Sequence, residues 1–219
     1  TKLFAGTDGG IYVSENNGVN FTDLTAGVQI SQFYKIAVSK QSSANMVGGL
    51  QDNGGHAYSS GQWKNYYGAD GMDTAIDPSD PNKYYGFIQN GQGLYISSSG
   101  GNSLSAQVNS PGGISGNWVT PLRVNAAGTV FGGYNDLYRL NGNSWVKQNT
   151  NPIGTGNLEL ISIAPSDANI MYIANGIRLY KSTDLGVTFT NIYTSDTNIT
   201  SIEVHSSDSN IVYLTSQGA

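Results

Sequence analysis

Short apolar runs alternate with polar turns along the whole chain, and nowhere does an apolar period of 3.6 persist over 11 residues or more. Period-two alternation in short runs predicts strands, and the intervening Gly, Asn, Asp and Ser clusters predict tight turns. Five segments align: KIAVSKQSSANMVGGL, TAIDPSDPNKYYGFI, LRVNAAGTVFGGY, ISIAPSDANIMYIA and SIEVHSSDSNIVYLT. Their anchors Val38, Ile76, Val124, Ile163 and Val204 are spaced by 38, 48, 39 and 41 residues. A second series, GGIYVS, GGHAYS, QGLYIS, NDLYRL and IRLYKS, has anchors Tyr12, Ala57, Tyr95, Tyr138 and Tyr180 at spacings of 45, 38, 43 and 42. A third begins at Phe21, Trp63, Trp145 and Phe189, each an aromatic after a polar turn.

Each unit therefore holds four short strands in about forty residues, the pattern of a β-propeller blade. One four-stranded sheet cannot cover its own two apolar faces, so successive sheets must pack on one another. The expected fold is all-β, a propeller of four-stranded antiparallel blades. Residues 1–219 form a single segment of about five repeats, an incomplete part of a ring of six to eight blades. The chain starts inside one strand-like run and stops inside another, which reads as a piece of a larger protein, with the missing blades supplied by the same chain or a partner. The interval of 48 carries SLSAQVNSPGGISGNW, which reads as a loop. Trp63 and Trp145, at the repeated fourth-strand position, are expected between blades.

Composition narrows the partners. Charged residues are 11% of the chain, against roughly 25% in an average soluble domain, and Gly at 29 residues is in excess. A Ser-, Thr-, Asn- and Gly-rich surface on a strand scaffold suits a secreted or cell-surface protein. The net charge of -5 opposes phosphate backbones, so nucleic acid is not an expected partner. No apolar run approaches the ~20 residues of a membrane span, so no membrane insertion is expected. The absence of cysteine removes disulfides, thiolate zinc sites and cysteine nucleophiles.

The stretch KSTDLGVTFT places Ser182, Asp184, Gly186, Thr188 and Phe189 in a turn between third and fourth strands. An earlier copy, SENNGVNF, has Ser14, Asn16 and Gly18 at the equivalent places, and a degenerate one, SSSGGNSL, begins at Ser97. A short carboxylate or carboxamide there accepts hydrogen bonds from its own turn, and because Asn16 replaces the acid, the role is structural rather than catalytic. The pattern resembles the Asp-box, Ser-x-Asp-x-Gly-x-Thr-aromatic, of sialidase-type propellers. Between Val47 and Gly101 the order Gly-Leu-Gln-Asp-Asn-Gly, Gly-x-Asp-Gly, Ile-Asp-Pro-x-Asp-Pro-Asn and Gln-Asn-Gly resembles secreted Asp-box (BNR-repeat) proteins of the sortilin and xyloglucanase type. That family is common in the Bacteroidetes and often exported by type IX secretion. The resemblance implies the fold and export; the functions it covers range from glycoside hydrolases and sorting receptors to assembly partners.

Propeller ligands usually bind where the loops joining strands 2–3 and 4–1 emerge. Asp77, Asp80, Asp167 and Asp208 fall in 1–2 turns on the opposite face and read as Asx turns. TDGG at Thr7 and YNDL at Tyr134 show that an acid in a 2–3 loop is not unique. Asp52 with Asn53, in LQDNGG, and Asp70, in YYGADG, are the acidic pair that the repeat places together on the ligand-type face. Tyr66, Tyr67 and Gln89 are the neighbours suited to stacking on or bonding to a ligand. Two carboxylates on one face are what glycosidic hydrolysis requires, which makes Asp52 and Asp70 candidate catalytic groups. Both also lie in ordinary turn sequences, so a module that binds a protein or glycan takes precedence, followed by a xyloglucanase-like hydrolase and a passenger in a surface complex. Arg123, Arg139 and Arg178 do not form a sialidase-type arginine cluster, and His56 and His205 are isolated, so neither a metal nor a cofactor is indicated. Calcium is chemically compatible with the Asp- and Asn-rich loops, but none alternates acids as a dedicated site does.

Overall fold

The computed structural model describes residues 2–7, 9–27 and 31–218; Asp8, in the TDGG copy of the 2–3 loop, lies outside them. Among the described residues 21 strands form six antiparallel sheets. The first holds β1 (Leu3–Thr7), β2 (Gly10–Ser14) and β3 (Thr22–Asp23). Four complete sheets follow. The second is β4 (Phe33–Val38), β5 (Met46–Leu50), β6 (Gly54–Ser59) and β7 (Gln62–Tyr67); the third is β8 (Gly71–Ile76), β9 (Tyr84–Ile88), β10 (Gly93–Ser97) and β11 (Ala106–Asn109). The fourth is β12 (Leu122–Val124), β13 (Val130–Gly133), β14 (Leu137–Asn141) and β15 (Ser144–Lys147); the fifth is β16 (Leu160–Ile163), β17 (Met171–Asn175), β18 (Arg178–Ser182) and β19 (Thr190–Thr194). Strands β20 (Ile199–Val204) and β21 (Val212–Ser216) form the sixth. Within each complete sheet the strands pair in chain order, and β4, β8, β12, β16 and β20 lie side by side in series.

Four apolar clusters join successive sheets from the second onward. Val47, Ala57, Tyr66 and Tyr67 meet Ile76 and Tyr84 between the second and third. Phe87 and Leu94 meet Leu122, Val130 and Tyr134 at the next interface. Phe131 and Leu137 then pack with Ile161, Ile173 and Phe189, and Tyr172 and Leu179 with Ile199 and Ile202. Each fully buried side chain of this size contributes on the order of 1.5–3 kcal/mol. Direct polar links add to them: the Asn151 amide accepts from Phe189 N at 3.0 Å and donates to Phe189 O at 2.7 Å, tying the fourth sheet to the turn of the fifth.

Two expectations need correction. The insertion expected to be a loop contains β11, the outermost strand of the third sheet; its one strongly apolar residue, Val108, is 3% exposed, too little pattern to read as a strand. Trp145 packs between sheets against Phe87 and Tyr134, at ring distances of 5.8 and 6.1 Å. Trp63 does not: it is 43% exposed, and the aromatic rings it meets, Phe33 and Tyr58, belong to its own sheet. The same strand position becomes core only where a neighbouring sheet covers it.

The KSTDLGVTFT turn closes on itself. Ser182 Oγ donates to Asp184 Oδ1 at 2.7 Å and accepts from Gly186 N at 2.9 Å, while Asp184 accepts from Thr188 N and Thr188 Oγ1 at 2.9 and 2.6 Å. The copy at Ser14 repeats this with an amide: Gly18 N donates to Ser14 Oγ at 2.8 Å and Asn20 N to Asn16 Oδ1 at 2.9 Å. In the copy at Ser97, Gly101 N donates to Ser97 Oγ at 3.0 Å and Ser103 N to Ser99 Oγ at 3.1 Å. Hydrogen bonds from the Thr188 hydroxyl and then its amide hold the Asp184 carboxyl down to about 2. A depressed folded value stabilises above the ordinary carboxylate range, and that stabilisation is lost as pH falls through it toward 2. Asp184→Ala should therefore lower stability by about 1 kcal/mol in urea unfolding at neutral pH. Asp184→Asn should keep the turn but lose less stability than the parent on acidification; equal acid sensitivity would remove the carboxylate from this role.

Candidate functional site

Three loops of the second and third sheets meet on one face. The loop from β5 to β6 carries Gln51, Asp52 and Asn53; that from β7 to β8 carries Ala69 and Asp70; that from β9 to β10 carries Gln89 and Asn90. Asp52 N donates to Asp70 Oδ1 at 2.9 Å, and Asp70 N donates to Gln89 Oε1 at 3.3 Å. The first loop is also braced by Asn53 Nδ2 donating to Gln51 O at 3.0 Å and by Asn65, whose amide donates to Asn53 O at 2.8 Å and Tyr67 O at 2.9 Å. Asp52, Asn53, Asp70 and Gln89 are thus brought together.

Glycine permits this approach. A Cβ at Gly54, where φ is +67°, would lie 1.9 Å from Tyr67 O, and one at Gly71 would lie 2.1 Å from Gly54 O. Gly54 and Gly71 let the two loops touch backbone to backbone, while Gly55 leaves room for the Tyr67 ring. Three residues with side chains also take left-handed backbone here, Asp52 at φ 56°, Ala69 at 67° and Asn90 at 57°. Such conformations cost free energy and persist where surrounding contacts enforce them, often at ligand sites.

Tyr66 and Tyr67 are placed differently from the sequence expectation. They are 8% and 5% exposed and lie in the core between the second and third sheets, with Tyr67 stacked on Tyr95 at 4.7 Å. Tyr67 Oη donates to Phe87 O at 3.3 Å, and burial raises both phenols above their ordinary range. Strand alternation and the bulge between Gly55 and His56 turn these rings inward, so neither offers a face to a ligand.

An aromatic from the expected insertion stands instead at this face. Trp118 is 49% exposed; its carbonyl accepts from Asn90 N at 3.1 Å, and its ring meets Tyr34 edge-on at 6.4 Å. Its one signal in the sequence is a tryptophan out of register with the repeat. Asp52 is exposed, and one Asp70 oxygen is occupied by the Asp52 amide. What the cluster presents is a carboxylate and carboxamides on braced loops with left-handed residues, with the exposed Trp118 joined to them through its carbonyl. Among the described residues no group of three or more His, Cys, Asp or Glu is arranged to hold a metal.

The acids of the opposite face are turn clasps: Asp77, Asp80, Asp167 and Asp208 each accept at 2.9 Å from the amide two residues on.

Several solved structures share this architecture. An ancestral GH74 enzyme superposes with a TM-score of 0.65 at 17% identity, over 84% of this chain and 27% of its own. The fold is that of an incomplete β-propeller. The WD40 β-propeller domain of Doa1 gives 0.62 at 12% identity, over 98% of this chain and 72% of its own. The extracellular domain of a hybrid two-component system from B. thetaiotaomicron gives 0.63 at 14%, over 99% and 31%. Identities this low carry the fold alone, and this chain spans only about a quarter to a third of the first and third. No family profile matches the chain, and no curated protein is similar to it. No helix among the described residues is long and apolar enough to cross a membrane.

Gly54→Ala should force the two loops apart and cost about 2 kcal/mol in urea unfolding, through both the left-handed backbone and the overlap with Tyr67 O. An unchanged midpoint would show that the loops do not depend on this approach.

Proposed function

We propose that this chain is part of a secreted or cell-surface propeller of the Asp-box type, in which residues 1–219 are one continuous propeller segment and the Asp52–Asp70–Gln89 face is a glycan-binding surface. The observation that carries this reading is the hydrogen-bonded grouping of Asp52, Asp70 and Gln89 on loops with left-handed residues, to which the exposed Trp118 is tied through Asn90. An indole offers an apolar plane for a sugar ring, while fixed carboxylate and amide groups suit its hydroxyls. The extracellular neighbour and the Ser-, Thr- and Asn-rich surface support an extracytoplasmic setting. The three turns at Ser14, Ser97 and Ser182, with their shared serine-centred bonding, support the Asp-box assignment.

A hydrolase is the second reading, favoured by the GH74 neighbour and by two carboxylates on one face. In it Asp52 or Asp70 acts with an acid from blades outside this chain. Glycan-array binding and polysaccharide hydrolysis separate the two. Trp118→Ala should reduce glycan binding about tenfold or more, and Asp52→Asn should weaken it less, with no turnover in the parent. Hydrolysis abolished by Asp52→Asn or Asp70→Asn would favour the enzyme; binding and turnover absent on every glycan would sink both.

A further inference from the structure

The innermost strands of the second and third sheets share a position but not an environment. All six residues of β8 are buried, whereas Ile36 and Val38 on β4 are 53% and 51% exposed. Strand β4 is also terminal in its sheet, so its inner edge presents main-chain N–H and C=O groups with no strand partner among the described residues. Proteins normally blunt such an edge; one lined with exposed β-branched residues is a template for another strand.

Beside it lies a groove of about 310 Å³, walled by β4, β8 and β12. Lys35, Lys40 and Arg123 line it, three of the ten basic residues in a chain of net charge -5. Arg123 is neutralised: Nη1 sits 2.7 Å from Asp73 Oδ2, which also accepts from Leu122 N at 3.0 Å, while Asp73 Oδ1 accepts from Thr74 N at 3.0 Å. Asp73, 5% exposed, is fully committed to these bonds. Lys35 and Lys40 have no carboxylate within ion-pair distance among the described residues. The groove therefore combines an open strand edge, two exposed aliphatic side chains and two uncompensated ammonium groups.

We propose that this groove binds an extended acidic peptide. Its main chain pairs with the inner edge of β4, alternate apolar side chains cover Ile36 and Val38, the intervening carboxylates face Lys35, and a carboxylate beyond the strand end meets Lys40. Strand addition of this kind draws affinity from main-chain hydrogen bonds and specificity from alternate side chains. The lysines add selection for acidic sequences and faster encounter. A polysaccharide carboxylate could meet the lysines but has no peptide ladder to offer β4. This site is separate from the Asp52–Asp70 face, and neither reading requires the other.

The test is fluorescence anisotropy of a labelled, end-capped peptide alternating Asp with Val, titrated with the 219-residue chain at low ionic strength. Saturable binding should weaken about tenfold in the Lys35→Gln/Lys40→Gln double variant and similarly in Val38→Asp, both changes at exposed positions. Lys64→Gln, the same charge change elsewhere, should bind as the parent does. A peptide N-methylated along one edge should lose binding. Absence of saturable binding overturns the proposal, as does unchanged affinity in the double variant or in the N-methylated peptide. Displacement by polygalacturonate at equal carboxylate concentration would instead assign the groove to anions in general and overturn the peptide reading.

Discussion

The structure depends on one constraint: each sheet has two apolar faces, and only another sheet can cover them. Tyr84 has its whole side chain buried only because Val47, Ala57 and Tyr66 of the preceding sheet lie over it. The local hydrogen-bond ladders would hold in any hairpin, but a hairpin alone is marginal in water. Packing of sheet on sheet turns them into a fold, and it repeats because the unit repeats. Where coverage is incomplete, as around Trp63, Ile36 and Val38, the same residue types stand in solvent.

That constraint also organises the chemistry. Antiparallel pairing in chain order sends the 2–3 and 4–1 loops to one face, and close sheet packing brings loops from adjacent units within hydrogen-bonding distance. The glycines at Gly54 and Gly71 answer to this proximity, since backbone of a neighbouring loop occupies the space a Cβ would need. Asp70 then serves two units at once, accepting from the Asp52 amide while its own amide donates to Gln89. A site assembled from three loops is only as well placed as the packing beneath it, so the buried Tyr66 and Tyr67 support the surface they do not touch.

Much of this is legible in the repeat itself. The apolar runs locate every inner strand from β4 to β20, because each is a short alternating run followed by a polar turn. The grouping of Asp52 with Asp70 and Gln89 follows from counting loops. Three features do not follow from the residue pattern. Strand β11 carries one strongly apolar residue, so its pairing with β10 is set by the ladder and not by the pattern. The inward turn of Tyr66 and Tyr67 rests on a bulge that no residue type announces. The Asp73–Arg123 pair joins residues 50 apart on separate strands, and a sequence shows only two unrelated charges.

The aspartates give the clearest physical lesson, because residue type alone does not separate them and hydrogen bonding does. Asp184 engages both oxygens within its own turn, so it stabilises locally. Asp73 spends Oδ2 across to β12 and Oδ1 on the Thr74 amide of its own strand, which cancels the Arg123 charge and leaves the groove beside β4 to its lysines. Asp70 divides its role, with one oxygen holding a neighbouring loop, and Asp52 donates only through its backbone amide. Capacity to act on a ligand therefore rises along this series as intramolecular commitments fall. The Asp52 carboxylate stands at its end because the loop is held by backbone, glycine and Asn65, which frees the side chain from holding it.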